Sequence, residues 1–299
     1  MIISEIQSDI DALEQNAALY IETNFSERAD ALDFIDFHIV GRIEGLPANK
    51  DLDALKRRAL SLKQKQEIID VTLFDKFRED IRNGTNIKSS FRKMIEIYFG
   101  SDMSSPKRQS KPGYDNLDVF INGLLFDQPI PEPTRARTYE MVFYQKTPAR
   151  IIFEMTGLLQ FDDHDIFVDV GSGLGQVAML VNLLTGVAAI GIEYEPAYCN
   201  YANACASQLN LRDVTFINAD ALKADHSRGT IFFLYTPFVG TMLRDMLDIL
   251  RKEATKRMIK VMSYGPCSGV VAQQTWLKCV NGSASDPYAL CVFTSLNGR

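Results

Sequence analysis

Between Phe167 and Gln176 the chain reads Phe167-Val168-Asp169-Val170-Gly171-Ser172-Gly173-Leu174-Gly175-Gln176, and no other stretch narrows the fold so far. An apolar run stops at an acid. Three glycines follow at alternate positions, and an apolar helical pattern then begins. This predicts a strand over Ile166–Val170, a tight turn and a helix N-terminus, with backbone bare where a ligand sits close. The dinucleotide fingerprint G-x-G-x-x-G would put a third glycine at position 176. Position 176 is Gln, and the glycine is Gly175.

The pattern after Asp165 alternates strand and helix. Strands are expected at Ile166–Val170, Ala188–Ile192, Val214–Ile217, Thr230–Tyr235 and Met258–Ser263. Gly186 is placed to end the first helix, and Pro196 opens the second. Alternation at this length predicts a parallel, doubly wound sheet. Gln274–Val280 and Ala289–Ser295 flank Asn281-Gly282-Ser283, a hairpin signal with a loop longer than two residues. A parallel sheet closed by an antiparallel hairpin is the pattern of a class I methyltransferase domain. An NAD-dependent oxidoreductase is disfavoured by Gln176 and by that hairpin.

Ahead of the sheet, the first hundred residues follow helical spacing, with breaks at Gly45-Leu46-Pro47 and Asn83-Gly84. Residues 1–112 are expected to form a helical module that covers the second part, binds substrate or forms a homo-oligomer. Residues 113–299 are expected to form the Rossmann-like α/β domain, with 113–160 as a lid or linker. Ser101 to Asn116 reads as a loop. Thr147 is placed as an N-cap, with Pro148 at the first helical position.

In an open α/β sheet, ligands meet the carboxyl ends of the strands. Asp169 ends the first strand and can accept from an α-amino group. Gly171 and Gly173 let the backbone approach. Glu193 ends the second strand, where two acceptor oxygens suit a ribose diol. Asp220, after the third strand, is placed to accept from an adenine amino group. The tight glycine form with these acids points to S-adenosylmethionine (SAM). At the end of the fourth strand, Tyr235 and Thr236 in Tyr235-Thr236-Pro237-Phe238 are the candidate acceptor-handling, catalytic residues. In-line methyl transfer gains most of its rate from positioning, and a cationic donor sits well against aromatic faces.

The net charge of −6 gives no global attraction for nucleic acid or acidic lipid. Two basic runs, Lys56-Arg57-Arg58 and Lys107, Arg108 and Lys111, read as a solvated helix face and a loop. Five cysteines, with no C-x-x-C spacing, read as reduced and mostly buried. The start shows no signal peptide, and no apolar run reaches membrane-span length, so the expected compartment is cytoplasmic. His38, His164 and His226 are far apart, and no metal site is expected.

The run from Asp163 to Val177 resembles the glycine loop of the Dot1-like family, the non-SET histone lysine methyltransferases, and of its bacterial relatives. The likeness continues through Gly191-Ile192-Glu193 and Tyr201-Ala202, with Tyr144-Gln145-Lys146-Thr147 upstream. It spans roughly Tyr139 to Gly240. The resemblance implies that Tyr144 and Thr147 close over the methionine part of SAM. Asp169, Gly171 and Gln176 would hold that part from below, Glu193 the ribose, and Asp220 with Ala221 the adenine. That family's fourth-strand asparagine, which helps position the target lysine, has no counterpart in Tyr235-Thr236-Pro237-Phe238. The expected activity is therefore methyl transfer to an unidentified acceptor, a protein side chain or a small molecule. The alternative is a catalytically silent SAM- or nucleotide-binding protein acting through its helices.

Overall fold

The structure is a computed structural model that describes residues 2–84, 89–101, 113–281 and 286–296. Lys107, Arg108 and Lys111, most of the loop expected at 101–116, and Gly282-Ser283 of the hairpin lie outside these residues.

Eleven α-helices and seven strands are described. Helices α1 (Ile2–Gln15), α2 (Phe25–Asp33), α3 (Gly41–Glu44), α4 (Lys50–Arg82), α5 (Ser89–Phe99), α6 (Asn116–Leu125) and α7 (Ala149–Leu158) precede the sheet. A π-helical segment, Phe34–Val40, joins α2 to α3. Then follow β1 (Ile166–Val170), α8 (Gln176–Thr185), β2 (Ala188–Glu193), α9 (Pro196–Gln208), β3 (Val214–Asn218), β4 (Ile231–Tyr235), α10 (Gly240–Ala254), β5 (Lys260–Tyr264), α11 (Ser268–Ala272), β6 (Leu277–Cys279) and β7 (Cys291–Ser295).

The strands form one sheet in the order β3-β2-β1-β4-β5-β7-β6. The first five are mutually parallel, while β7 runs antiparallel to both β5 and β6. This is the Rossmann-like methyltransferase sheet that the alternation and terminal hairpin predict. The register aligns the strand tips: Asp169 lies opposite Gly191 and Phe233, Glu193 opposite Asn218, and Tyr235 opposite Tyr264. The residues singled out at strand ends therefore emerge along one edge.

The hairpin strands are shorter than their apolar runs suggested, because Gln274 to Trp276 turn out of α11 before pairing begins at Leu277. The start of α7 also differs. Thr147 is not its cap and Pro148 is not its first helical residue; the helix begins at Ala149. Asp118, on α6, reaches across and accepts the Ala149 N–H at 2.7 Å. A longer-range acceptor replaces the local one.

Apolar side chains divide into three clusters. One joins α2, the second half of α4, α5, α6 and α7 to α8, α9 and one face of the sheet. A second packs α10 and α11 on the other face. A third holds α1, the π-helical segment and the first half of α4. Phe120 is fully buried at the junction of the first cluster, edge-on to Phe25, Phe74, Phe77 and Phe99 at 5.0–5.5 Å between ring centres. Arg28 is also fully buried; it ties α2 to α4 through Asp70 at 2.7 Å and donates to the carbonyls of Ile21 and Glu22. Within the basic run on α4, Lys56 pairs with Glu44, and Arg58 with Asp11 and Glu14.

Candidate functional site

A cavity of about 770 Å³ opens along the carboxyl tips of β1, β2, β4 and β5, within the size range of small-molecule sites. Its floor is the glycine loop. Gly173 has φ +54°, and a Cβ there would sit 2.1 Å from the Tyr144 ring, so the position admits no side chain. Gly175 has φ +84° and caps the start of α8. A Cβ at Gly175 would meet the Phe216 ring at 2.4 Å and Ala202 at 2.9 Å. Close packing of α9 and β3 beneath the loop is thus a physical reason for a glycine at 175.

Asp169 is buried behind this loop, and its Oδ2 has no hydrogen-bond partner. Burial, with the nearby Glu193 carboxylate adding to it, pushes its pKa up to about 8. Glu193 accepts the Gly173 N–H on Oε2 and the Glu195 N–H on Oε1, each at 2.7 Å. Burial also raises Glu193, against the pull of those backbone donors. Each of its oxygens keeps a lone pair for a further donor. Ser172 Oγ and both polar atoms of Gln176 are likewise buried without partners. Buried polar groups are nearly always satisfied. Four such orphans on residues lining one cavity mark a place built for a polar ligand.

Residues 126–148 cross the cavity as a strap. It is fastened to the β4–α10 turn: Val142 N–H donates to the Pro237 carbonyl, Val239 N–H donates to the Glu140 carbonyl, and the Glu140 carboxylate caps α10 at Thr241 and Met242. At the β2 tip, the Thr134 hydroxyl and the Arg135 N–H donate to the Glu195 carboxylate at 2.6 and 2.7 Å. Under the strap, Tyr144 packs against Gly173 and against the Tyr198 ring. Cations gather at the rim: Arg135 lies over Tyr194 at 4.6 Å, and Arg137 over the exposed Phe143 at 3.6 Å. The carboxylates lining the cavity, Asp169, Glu193 and Glu195, are all buried, Lys146 is half-buried, and Arg135 and Arg137 are exposed.

At the β4–β5 end, Tyr235, Tyr264 and Tyr288 line the cavity with Thr236. The Tyr235 and Tyr264 ring centres lie 5.0 Å apart. Burial raises both phenols above their ordinary range. Thr236 has φ +41°, rare for a β-branched residue. Its hydroxyl donates to the Tyr264 carbonyl at 3.3 Å and accepts the Cys267 N–H at 3.2 Å. That hydroxyl clamps β4 to the turn after β5.

Of the residues singled out from the sequence, Tyr144, Thr147, Asp169, Gly171, Gln176, Glu193, Ala221, Tyr235 and Thr236 line this one cavity. Gly173 lies beneath the Tyr144 ring. Asp220 does not line the cavity, although Ala219 and Ala221 do. Its Oδ1 accepts the Leu222 N–H, and its Oδ2 lies 3.6 Å from Lys223, so the carboxylate serves the turn after β3. Sequence reasoning missed Ser172, Glu195, Tyr264 and Tyr288. Glu195 had a signal, an acid directly before a proline that opens a helix; the two tyrosines had none, since only the closure of the sheet brings them here. Among the described residues no group of side chains could hold a metal ion, and no helix is long and apolar enough to cross a membrane.

Residues 119–232 match the family model described as histone methylation protein DOT1. The match begins in α6 and ends in β4, three residues before Tyr235. Among solved structures, an RNA methyltransferase from Salinibacter ruber in complex with S-adenosyl-L-homocysteine is similar at 23% identity, over 50% of this chain and 92% of that one, with a TM-score of 0.41. A SAM-dependent methyltransferase from Aquifex aeolicus is similar at 14% identity, over 50% and 93% of the two chains, with a TM-score of 0.40. A precorrin-6y C5,15-methyltransferase from Geobacter metallireducens GS-15 matches at 15% identity, over 55% and 94%, with a TM-score of 0.37. The strand order and the terminal antiparallel pair are those of the class I methyltransferase fold, and residues 119–232 resemble the Dot1-like proteins.

Proposed function

We propose that this protein is a methyltransferase that holds SAM between the glycine loop and the strap, and passes its methyl group to an acceptor entering at the β4–β5 end. The observation that carries the reading is the set of orphaned polar atoms on Asp169, Ser172 and Gln176 in a cavity that also holds the Glu193 carboxylate. They fit the ligand's chemistry. Asp169 and Gln176 suit its amino-acid end, Glu193 has free lone pairs for a diol, and Ala221 with Ala219 leaves room for a flat base. Asp220, as placed here, would reach that base only by leaving its turn.

SAM supplies an electrophilic methyl group on a sulfonium. The protein's part is to bind, orient and exclude water. The strap covers the loop, and Tyr144 and Thr147 close the methionine end. Tyr235 and Tyr264 present ring faces to the β4–β5 end, where a cationic centre is stabilised. Their raised phenols stay protonated near neutrality and cannot serve as bases. The acceptor therefore arrives with a free lone pair or gives its proton to solvent, and rate comes from alignment. Thr236 acts as a positioning residue through its clamp on the β5 turn. The absence of asparagine in Tyr235-Thr236-Pro237-Phe238 leaves protein side chains and small molecules both open as acceptors.

Calorimetry with S-adenosylhomocysteine (SAH) tests the site. Glu193→Ala is expected to weaken SAH binding at least roughly tenfold, since charge-assisted hydrogen bonds contribute about 1.5–3 kcal/mol each. Near-normal affinity in that variant would sink the assignment. Transfer from methyl-tritiated SAM into size-separated fractions of a cell extract then distinguishes a protein acceptor from a small one. Tight SAH binding with no transfer into any fraction would favour a silent binding protein.

A further inference from the structure

We infer that Glu195 is a positioning residue that latches the strap over the cofactor cavity. This rests on the SAM reading above but concerns a residue that contacts the strap, not the cofactor's own ligand set.

Glu195 is buried at the cavity wall, and its carboxylate accepts hydrogen bonds from both the strap and α9. Oε1 accepts the Thr134 hydroxyl at 2.6 Å and the Ala197 N–H at 2.9 Å; Oε2 accepts the Arg135 N–H at 2.7 Å. Thr134 and Arg135 belong to the strap. Ala197 belongs to the first turn of α9. One carboxylate thus joins a segment without regular structure to a helix packed on the sheet. Arg135 reinforces the join by donating to the Tyr194 carbonyl at 2.9 Å and stacking on the Tyr194 ring.

The latch is coupled to the ligand site through the backbone. The Glu195 N–H donates to Glu193 Oε1, and the other oxygen of Glu193 accepts from Gly173. The carboxylate suited to a diol, the glycine loop and the latch therefore share one chain of hydrogen bonds. The strap carries Tyr144 and Thr147, which close the methionine end. Loss of the latch would free the strap at its β2 end while its fastening to the β4–α10 turn stays intact. The cavity would then leak ligand without losing the residues that contact it. A hydrogen bond to a buried carboxylate is strong enough for this role.

The test uses the full-length protein and SAH in stopped-flow displacement, with two variants. Glu195→Gln weakens both halves of the junction. Thr134→Val removes the strap's hydroxyl and leaves the α9 cap in place, so it reports on the latch even if the first variant folds poorly. Both are expected to raise the SAH dissociation rate roughly tenfold while the association rate changes little. SAH should also slow tryptic cleavage after Arg135 and Arg137 in the wild type, and this protection should disappear in Thr134→Val. A dissociation rate equal to wild type in both variants, with protection retained, would overturn the latch alone. Failure of the wild type to bind SAH would overturn the cofactor reading and the latch with it.

Discussion

Asp169 shows how one buried carboxyl links stability to pH. Its pKa is pushed up to about 8 by burial and by Glu193, whereas an unfolded aspartate titrates near about 3.9. The folded state thus holds a proton that the unfolded state has released. By linkage, this group's contribution to stability falls as pH rises from about 4 through 8. We expect the urea midpoint of the ligand-free protein to drop between pH 6 and 8.5, and Asp169→Asn to flatten that slope. An unchanged slope in the variant would place the linkage elsewhere. Asp169 and Glu193 were legible in the sequence because strand ends and glycine turns are local patterns. Asp220 was legible only as an acid after a strand, since its direction depends on a turn that closes on Leu222.

At the scale of elements, the junction of α6 and α7 depends on a contact that no local pattern shows. Asp115 accepts the Leu117 N–H, while Asp118 accepts the Asp115 N–H on one oxygen and the Ala149 N–H on the other. One reciprocal cap therefore starts two helices, and it fixes where the strap ends. Asp118→Ala should lower stability by about 1–2 kcal/mol, read as a shift in the urea midpoint, and should weaken SAH binding because Thr147 and Pro148 precede the freed end. A midpoint within error of wild type would show that the cap contributes nothing. The parallel strands were legible because each is a short apolar run between turn signals. The cap was not, because its acceptor lies 31 residues away from its donor.

At the scale of the whole molecule, one apolar cluster crosses the point where the sequence changes character. The helical spacing of the first hundred residues suggested a separate module, yet α2, α4 and α5 share one apolar cluster with α8, α9 and the sheet. Among the described helices, α1, the π-helical segment, α3 and the first half of α4 share a separate cluster. Sequence periodicity shows that a helix has an apolar face; it does not show what covers that face. Phe120→Ala should destabilise the protein by about 3–5 kcal/mol. The single tryptophan, Trp276, packs on the opposite face of the sheet, so its fluorescence reports a distant region. Its melting transition should move down together with the helical circular dichroism signal. A Trp276 transition left in place while the helices melt early would mean two independent units.

The depths at which the cavity's acids and its rim guanidiniums sit give its mouth and its interior different sensitivities. Over the ~8 Å that counter-ions allow a field to reach at physiological ionic strength, the guanidinium groups at the rim are open to bulk electrolyte, and the acids beneath the strap are shielded from it. Ionic strength should therefore change how charged molecules reach the cavity mouth more than it changes the field of the acids beneath the strap.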